Sequence, residues 1–168
     1  MKRNAFLKVL SLGLLLGFAA TSSRARAQEY ILGAHVGGLG LMADGASTSG
    51  VAYGPYMRIN PLGWAAFQLD ATFAHLDGGL YFSSSPGIFL YPIATEEFAV
   101  GVIFGPGFYK LPGDSMKFGL HVGVGGDFAV SKNFSVGMET RFHPIFQAAD
   151  AWSVFVNLGF RFEGSNDW

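Results

Sequence analysis

The fold is decided by the stretch AWSVFVNLGFRFE, residues 151–163, in which apolar side chains alternate with mainly polar or small ones. Successive side chains of a β-strand point to opposite faces, so this alternation predicts a strand between two different environments. One face carries Trp152, Val154, Val156, Leu158, Phe160 and Phe162, and the other carries Ser153, Phe155, Asn157, Gly159, Arg161 and Glu163. Related patterns recur along the chain.

Residues 1–27 have the pattern of a secretory signal peptide. Lys2, Arg3 and Lys8 accompany an apolar run at 9–20, and Ala25-Arg26-Ala27 is a small-x-small cleavage sequence. The apolar run is too short to span a bilayer as a helix. We therefore expect an exported protein with a signal peptide at 1–27 and a single mature domain at 28–168.

The composition of the expected mature chain excludes several functional classes. It contains six basic and twelve acidic residues, a net charge of −6, which argues against a nucleic-acid partner. The sequence has no cysteine, so disulfides and thiolate metal sites are excluded. No mature segment has eighteen apolar residues in a row, as a membrane-spanning helix would require.

Turn-forming residues divide the chain into eight strand-like segments. These are 30–42, 51–60, 64–76, 80–93, 98–110, 116–130, 134–145 and 151–163, with a Gly/Ser/Thr loop expected at 44–50. Three-residue turns would pair Val130 with Phe134 and Asn60 with Trp64. The first pairing places Gly125 opposite Glu139, and both keep apolar residues on one face.

Alternation alone does not separate a soluble barrel with an apolar interior from a membrane barrel with an apolar exterior. The volume of the side chains distinguishes these two kinds of barrel. With roughly five large apolar side chains per strand, eight strands would place about forty inside a barrel that has room only for modest side chains. The opposite face is rich in glycine, which suits a crowded interior. The apolar face is therefore expected to meet lipid.

The expected inward face also carries charged groups and histidines, which predict a polar network that plugs the lumen. Buried charges need partners, so acidic and basic members should pair. A gate or a ligand site is the less favoured interpretation, and two histidines without a third ligand do not predict a metal site, so neither metal nor cofactor is expected. The predicted members are Arg58, Asp70, Lys117, His121, Asp127, Glu139, Arg141, His143 and Arg161.

Aromatic residues near the predicted strand ends suggest two girdles of the kind that flank a membrane. If the N-terminus is periplasmic, the short turns at 61–63, 95–97 and 131–133 lie on that side. The predicted periplasmic girdle is Trp64, Phe98, Phe128, Phe134 and Phe162, and the outer girdle is Tyr109, Phe146 and Trp152. Trp64 and Tyr109 do not follow the apolar parity of their strands.

The segments GLHVGVGGDFAVSKNFSVGMETRFHPIF (119–146) and VNLGFRF (156–162) resemble eight-stranded outer-membrane barrels related to the transmembrane domain of outer-membrane protein A. This resemblance implies an all-β, antiparallel, up-and-down transmembrane barrel in the bacterial outer membrane. It also implies contact with outer-membrane lipid and lipopolysaccharide, insertion by the barrel-assembly machinery, and a monomer. Asn157, Gly159 and Phe162 match part of the family's terminal assembly signal, which is read from either Phe162 or Trp168.

Enzymes also occur on this scaffold, so catalysis must be argued from a site. Outer-membrane lipid A deacylases, which this chain resembles in size, use a His-x-Ser pair, and none of the four histidines has serine at the second following position. Ser135 and Ser153 face inward with no convergent histidine evident. We expect a non-enzymatic protein with a structural or interaction role. The alternatives are a narrow channel or carrier for small or hydrophobic solutes, and a lipid-modifying enzyme.

Overall fold

The computed structural model describes residues 29–43, 45–95 and 97–163. The predicted signal peptide and Trp168 lie outside these residues. Eight strands are present: β1 Glu29–Ala43, β2 Ala46–Asn60, β3 Ala65–Leu76, β4 Gly79–Ala94, β5 Phe98–Lys110, β6 Met116–Ser131, β7 Phe134–Ile145 and β8 Ala149–Glu163. Within the described ranges, no helix is long and apolar enough to cross a membrane.

Each strand pairs antiparallel with the next, and β8 pairs with β1 to close the sheet into a barrel. Closure leaves no free strand edge, so the backbone hydrogen bonds of every strand can be made within the protein. The predicted all-β, eight-stranded, up-and-down barrel is confirmed. We call the end that carries Glu29 and Glu163 the terminal end, and the opposite end the far end.

Two strands extend further than the sequence suggested. The expected loop at 44–50 is mostly strand, because β2 begins at Ala46 and Ser47 already pairs with Met42. Gly45 has a φ of 80°, a conformation open to glycine that allows a very tight turn. The fourth strand, which contains Pro86, runs from Gly79 to Ala94, and its pairing with β5 is irregular between Leu90 and Ile93.

The two predicted hairpin registers had different outcomes. Val124 pairs with Thr140 and Gly125 pairs with Glu139, as predicted. The predicted pairing of Val130 with Phe134 was wrong, because Ser131 pairs with Phe134 and a bulge between Ala129 and Ser131 absorbs the one-residue difference. The β2–β3 register was wrong by two residues, because Met57 pairs with Leu69.

The cause of the β2–β3 shift lies in the connecting loop. The Trp64 N–H donates to the Leu62 carbonyl, and the Trp64 carbonyl accepts from the Tyr91 N–H of β4. Trp64 therefore belongs to a wider loop, and β3 starts at Ala65. A shift of two residues moves no side chain to the other face, so the predicted faces survive the error.

Most of the large apolar side chains point away from the barrel axis. Val51, Phe67, Met138 and Phe160 are among the most exposed of them, and they lie on four different strands. The inward face has many glycines, and their small size leaves space for the side chains of neighbouring strands. A Cβ on Gly125 would meet the Glu139 Cγ at 3.0 Å, so glycine makes room for an ionic side chain on the neighbouring strand.

Candidate functional site

The lumen contains a charged centre whose main cation is Arg141. From β7, its Nη1 binds Asp70 Oδ2 at 2.7 Å, and its Nε donates to Glu139 Oε1. All three side chains are almost completely buried. Asp70 comes from β3 and the other two from β7, so this ion-pair set links opposite sides of the barrel.

Arg58 on β2 is the second cation of the centre. It pairs with Asp127 of β6, and its Nη2 lies 4.0 Å from Glu139 Oε2. Its Nε donates to Gln68 Oε1 at 2.8 Å, and its guanidinium lies 4.7 Å from the Phe89 ring centroid. This combination of ionic, hydrogen-bond and cation–π contacts holds the guanidinium where an isolated charge would be very costly.

Gln68 joins the two arginine sets. Its Nε2 donates to Asp70 Oδ2 at 3.3 Å and to Glu139 Oε2 at 3.4 Å, while its Oε1 accepts from Arg58. The ionised centre therefore has two guanidinium groups and three carboxylates, and an amide supplies additional donors to the acidic side. Gln68 was missed by the sequence analysis, although its parity on β3 is the same as that of Asp70.

Besides the two histidines, two predicted basic members of the network lie outside this centre. Arg161 pairs with Glu29 at the terminal end, where Glu29 also accepts from Asn60 Nδ2 at 3.2 Å. Lys117 lies at the far end and pairs with Asp114 at 3.2 Å. The Ser115 N–H, followed by the Lys117 ammonium, lowers the pKa of the Asp114 carboxyl. The predicted inclusion of Lys117 in a lumen plug was wrong, because its strand position is too close to the far end.

The far half of the lumen is filled by apolar side chains, which the predicted polar plug did not include. The cluster contains Leu39, Leu41, Ala52, Ala74, Leu76, Tyr81, Tyr109, Leu111, Ile145, Ala151 and Phe155. A smaller apolar cluster of Ala66, Phe89, Tyr91 and Ile103 lies toward the terminal end. The ionic centre therefore has the large apolar cluster on its far side, whereas toward the terminal end Arg58 and Asp127 line a small pocket together with Glu29, Asn60 and Arg161.

Tyr109 belongs to the far apolar layer and not to the outer girdle, so that assignment was wrong. Its side chain is fully buried, and its hydroxyl donates to the Leu120 carbonyl at 3.1 Å. The departure of Tyr109 from the apolar parity of β5 had signalled this inward position. Trp64, Phe98, Phe128, Phe162, Phe146 and Trp152 are exposed on the outside, and Phe134 is half-buried.

His143 does approach a serine, contrary to the sequence analysis. Its Nε2 is 2.9 Å from Ser153 Oγ, and its Nδ1 is 3.2 Å from the Tyr109 hydroxyl. The third group is thus a phenol where a hydrolase triad would have a carboxylate. All three side chains are buried among lumen residues, without room for a substrate carbonyl beside the serine. We interpret this chain of hydrogen bonds as structural.

The other lumen histidines differ from His143. His35 Nε2 is 3.0 Å from Thr72 Oγ1, and its ring contacts Phe155 in a tilted arrangement with centroids 4.4 Å apart. His121 is buried, and neither of its ring nitrogens has a hydrogen-bond partner. Among the described residues, no group of three or more His, Cys, Asp or Glu side chains is placed to hold a metal ion.

The residues of the predicted assembly signal lie on both faces of β8. Asn157 and Gly159 face inward, and a Cβ on Gly159 would approach the Tyr56 hydroxyl and Ile31. Phe162 faces outward and is exposed, whereas Trp168 lies outside the described residues.

A closed barrel with an apolar exterior and a filled, partly ionic interior defines an outer-membrane-type β-barrel. Comparison with known structures gives the same class. The chain is similar to the N-terminal β-barrel domain of Pseudomonas aeruginosa OprF, with 14% identity and a TM-score of 0.61 over 82% of this chain and 98% of that one.

Two further solved structures share the fold at equally low identity. Pseudomonas aeruginosa OprG has 14% identity and a TM-score of 0.62 over 83% of this chain and 98% of its own. Ail of Yersinia pestis, solved with the heparin analogue sucrose octasulfate, has 14% identity and a TM-score of 0.58 over 81% of this chain and 99% of its own. No protein-family model and no curated protein matches the chain.

Proposed function

We propose that the protein is an integral outer-membrane barrel with a non-enzymatic, structural role and a lumen closed to ions. The observation that carries this proposal is the filling of the lumen in successive layers. An ion crossing the lumen would have to pass the far apolar cluster and separate Arg141 from Asp70. Each step exposes charge to an apolar environment, which is strongly unfavourable.

The connections between strands support a structural role over surface recognition. At the far end, β1–β2 and β3–β4 are joined by two residues each, β7–β8 by three, and β5–β6 by five. Binding functions of such scaffolds are usually placed in long loops. The far end of this barrel offers little surface on which a macromolecular partner could be held.

The outer surface supports lipid as the surrounding partner. Exposed aliphatic side chains cover the strands, and exposed aromatic side chains such as Trp152, Phe98 and Phe128 lie near strand ends. We propose that this belt contacts outer-membrane lipid and lipopolysaccharide, that the barrel is a monomer, and that the assembly machinery inserts it. The amphipathic arrangement of β8, with Asn157 inward and Phe162 outward, suits a terminal assembly signal.

The closed lumen is tested by reconstituting the full barrel into planar bilayers. We expect no stable single-channel current from the wild type or from a Val156→Ala control on the lipid face. A reproducible wild-type current would contradict the proposal and favour the channel alternative.

The non-enzymatic role is tested in cells that express the barrel. The acylation of lipopolysaccharide, measured by mass spectrometry, should be the same with the wild type and with Ser153→Ala. A change produced by the wild type and lost in Ser153→Ala would establish a lipid-modifying enzyme.

A further inference from the structure

The wall of the barrel has a break in its hydrogen bonds between β4 and β5. Ser84 pairs with Phe108 and Ile88 pairs with Phe104, but the three residue pairs between them are skipped. The continued register would place Pro86 opposite Pro106, and proline has no backbone N–H. In a hydrogen-bonded antiparallel pair, each residue donates its N–H to the carbonyl of the other. Two prolines in such a pair lose both hydrogen bonds, which explains the three skipped residue pairs and leaves both proline carbonyls without their expected N–H donors.

An apolar groove of about 720 Å³ lies over this break. Its walls include Phe67, Leu69, Ile88, Phe104 and Leu120, which have the outward parity of their strands, together with Pro86 and Pro106. Its volume is within the range of about 300–1,000 Å³ found for small-molecule sites. Among the groove's lining residues, only Gln68 and His121 have polar side chains, and Gln68 is already bound to the charged centre.

His121 lies behind the break and lines the groove. A Cβ on Gly87 would meet its Nε2 at 2.7 Å, and a Cβ on Gly105 would meet its Cε1 at 3.1 Å. The imidazole therefore packs against the inner side of the wall at the break, where the absence of side chains on the two glycines lets it line the outer groove. The side chain is 1% exposed, and both ring nitrogens lack hydrogen-bond partners. The Pro106 carbonyl is near the ring, but not in hydrogen-bond geometry.

We propose that this groove binds a single-chain amphiphile whose uncharged hydroxyl head reaches the break and hydrogen-bonds His121. The inference rests on the proposed function only in that the outer wall faces lipid. A hydroxyl can donate and accept at once, so it can serve both a neutral imidazole and a proline carbonyl without a donor. A charged head is disfavoured, because the groove supplies no counter-ion in the apolar part of the membrane. The alkyl chain contacts Phe67, Ile88 and Phe104.

The experiment uses the full barrel, with ¹⁵N-labelled histidine, in phospholipid nanodiscs that are titrated with 1-dodecanol. The ring nitrogen signals of His121 should shift and saturate. The signals of His35 and His143 should stay constant, because Thr72 and Ser153 already occupy those rings. Dodecanol should bind about fivefold more tightly than dodecane, the difference expected from one neutral hydrogen bond. His121→Phe should remove this preference.

A matched pair of lipid-facing variants tests the groove without touching the lumen. Ile88→Trp should weaken dodecanol binding about tenfold by filling the groove, while Val156→Trp on β8 should leave it unchanged. A shift that grows linearly without saturating, equal shifts at the three lumen histidines (His35, His121 and His143), or equal effects of the two tryptophan substitutions would overturn the proposal. So would a wild-type dimer disrupted by Ile88→Trp, since the groove would then be an interface between copies. Failure of the membrane assignment is distinct, because the protein would then stay soluble without nanodiscs.

Discussion

Removal of the Arg141 guanidinium should show how much this cation contributes to the stability of the charged centre. Arg141→Met keeps much of the side-chain volume and leaves Asp70 and Glu139 buried without their shared cation. Breaking one side of a buried ion pair is worth about 3–5 kcal/mol, and we expect a loss of this size in the free energy of unfolding. Lys117→Met is the control. The Lys117 side chain is 26% exposed and that of its partner Asp114 is 42% exposed, so the expected loss is about 0–1 kcal/mol.

The two carboxylates should not contribute equally to that loss. Without Arg141, Glu139 keeps the Arg58 guanidinium at 4.0 Å and a Gln68 N–H, whereas Asp70 keeps only a Gln68 N–H at 3.3 Å. Asp70 is therefore the group left without a cation. Asp70→Asn in the Arg141→Met background should recover about 2–4 kcal/mol, and Glu139→Gln should recover less than about 1 kcal/mol.

The measurement is urea unfolding in lipid vesicles, followed by the difference in gel mobility between folded and unfolded barrel. Equal recovery by the two second-site changes would refute the assignment of Asp70 as the dependent partner. A loss from Arg141→Met no larger than that from Lys117→Met would refute the tightly coupled buried centre itself.

Three further outcomes can be checked on the same preparation. Val156→Arg puts a charge on the lipid face, at a side chain that is 40% exposed, and should reduce the free energy of unfolding by about 2–4 kcal/mol if it lies near mid-membrane. Asn157→Arg is directed into the lumen and should cost less, about 1–3 kcal/mol. The reverse order would argue for an apolar interior. Gly33→Ala should destabilise the barrel by about 1–3 kcal/mol, because the new Cβ would collide with the Leu158 carbonyl and the Tyr56 ring. Gly38→Ala should be neutral or slightly stabilising, because no atom lies within 4 Å of its Cβ position. Equal effects of the two substitutions would show that the close contacts at Gly33 relax. The barrel should also migrate differently in gels before and after boiling, since it has no free edge, and identical migration would count against a closed barrel.

The two faces of the barrel could be predicted from the sequence because face depends only on parity. A register error of two residues at β2–β3 left every side chain on the predicted face. Parity carries no information on depth, however. Lys117 and Arg141 both have inward parity, but one lies at the far end and the other in the charged centre. The layering of ionic and apolar groups was therefore not predictable from alternation.

Predicting which residues face each other on neighbouring strands requires the position of the turn between them, and the sequence signals some turns more clearly than others. Gly125 could be placed opposite Glu139 because the turn between β6 and β7 is short and polar. The β7–β8 connection has no such mark. Its Gln147 has a φ of 58°, a left-handed conformation for which glycine would be the usual signal. Without that register, the approach of His143 to Ser153 could not be inferred.

The short connections at the far end determine from where the protein can be recognised. With at most five residues between successive strands there, the chain barely rises beyond the rim of its own wall. An antibody or a phage tail fibre that approaches from that side would meet short turns and no protruding loop to bind. We therefore expect molecules that bind this barrel to approach it laterally, from within the bilayer, or at the terminal end.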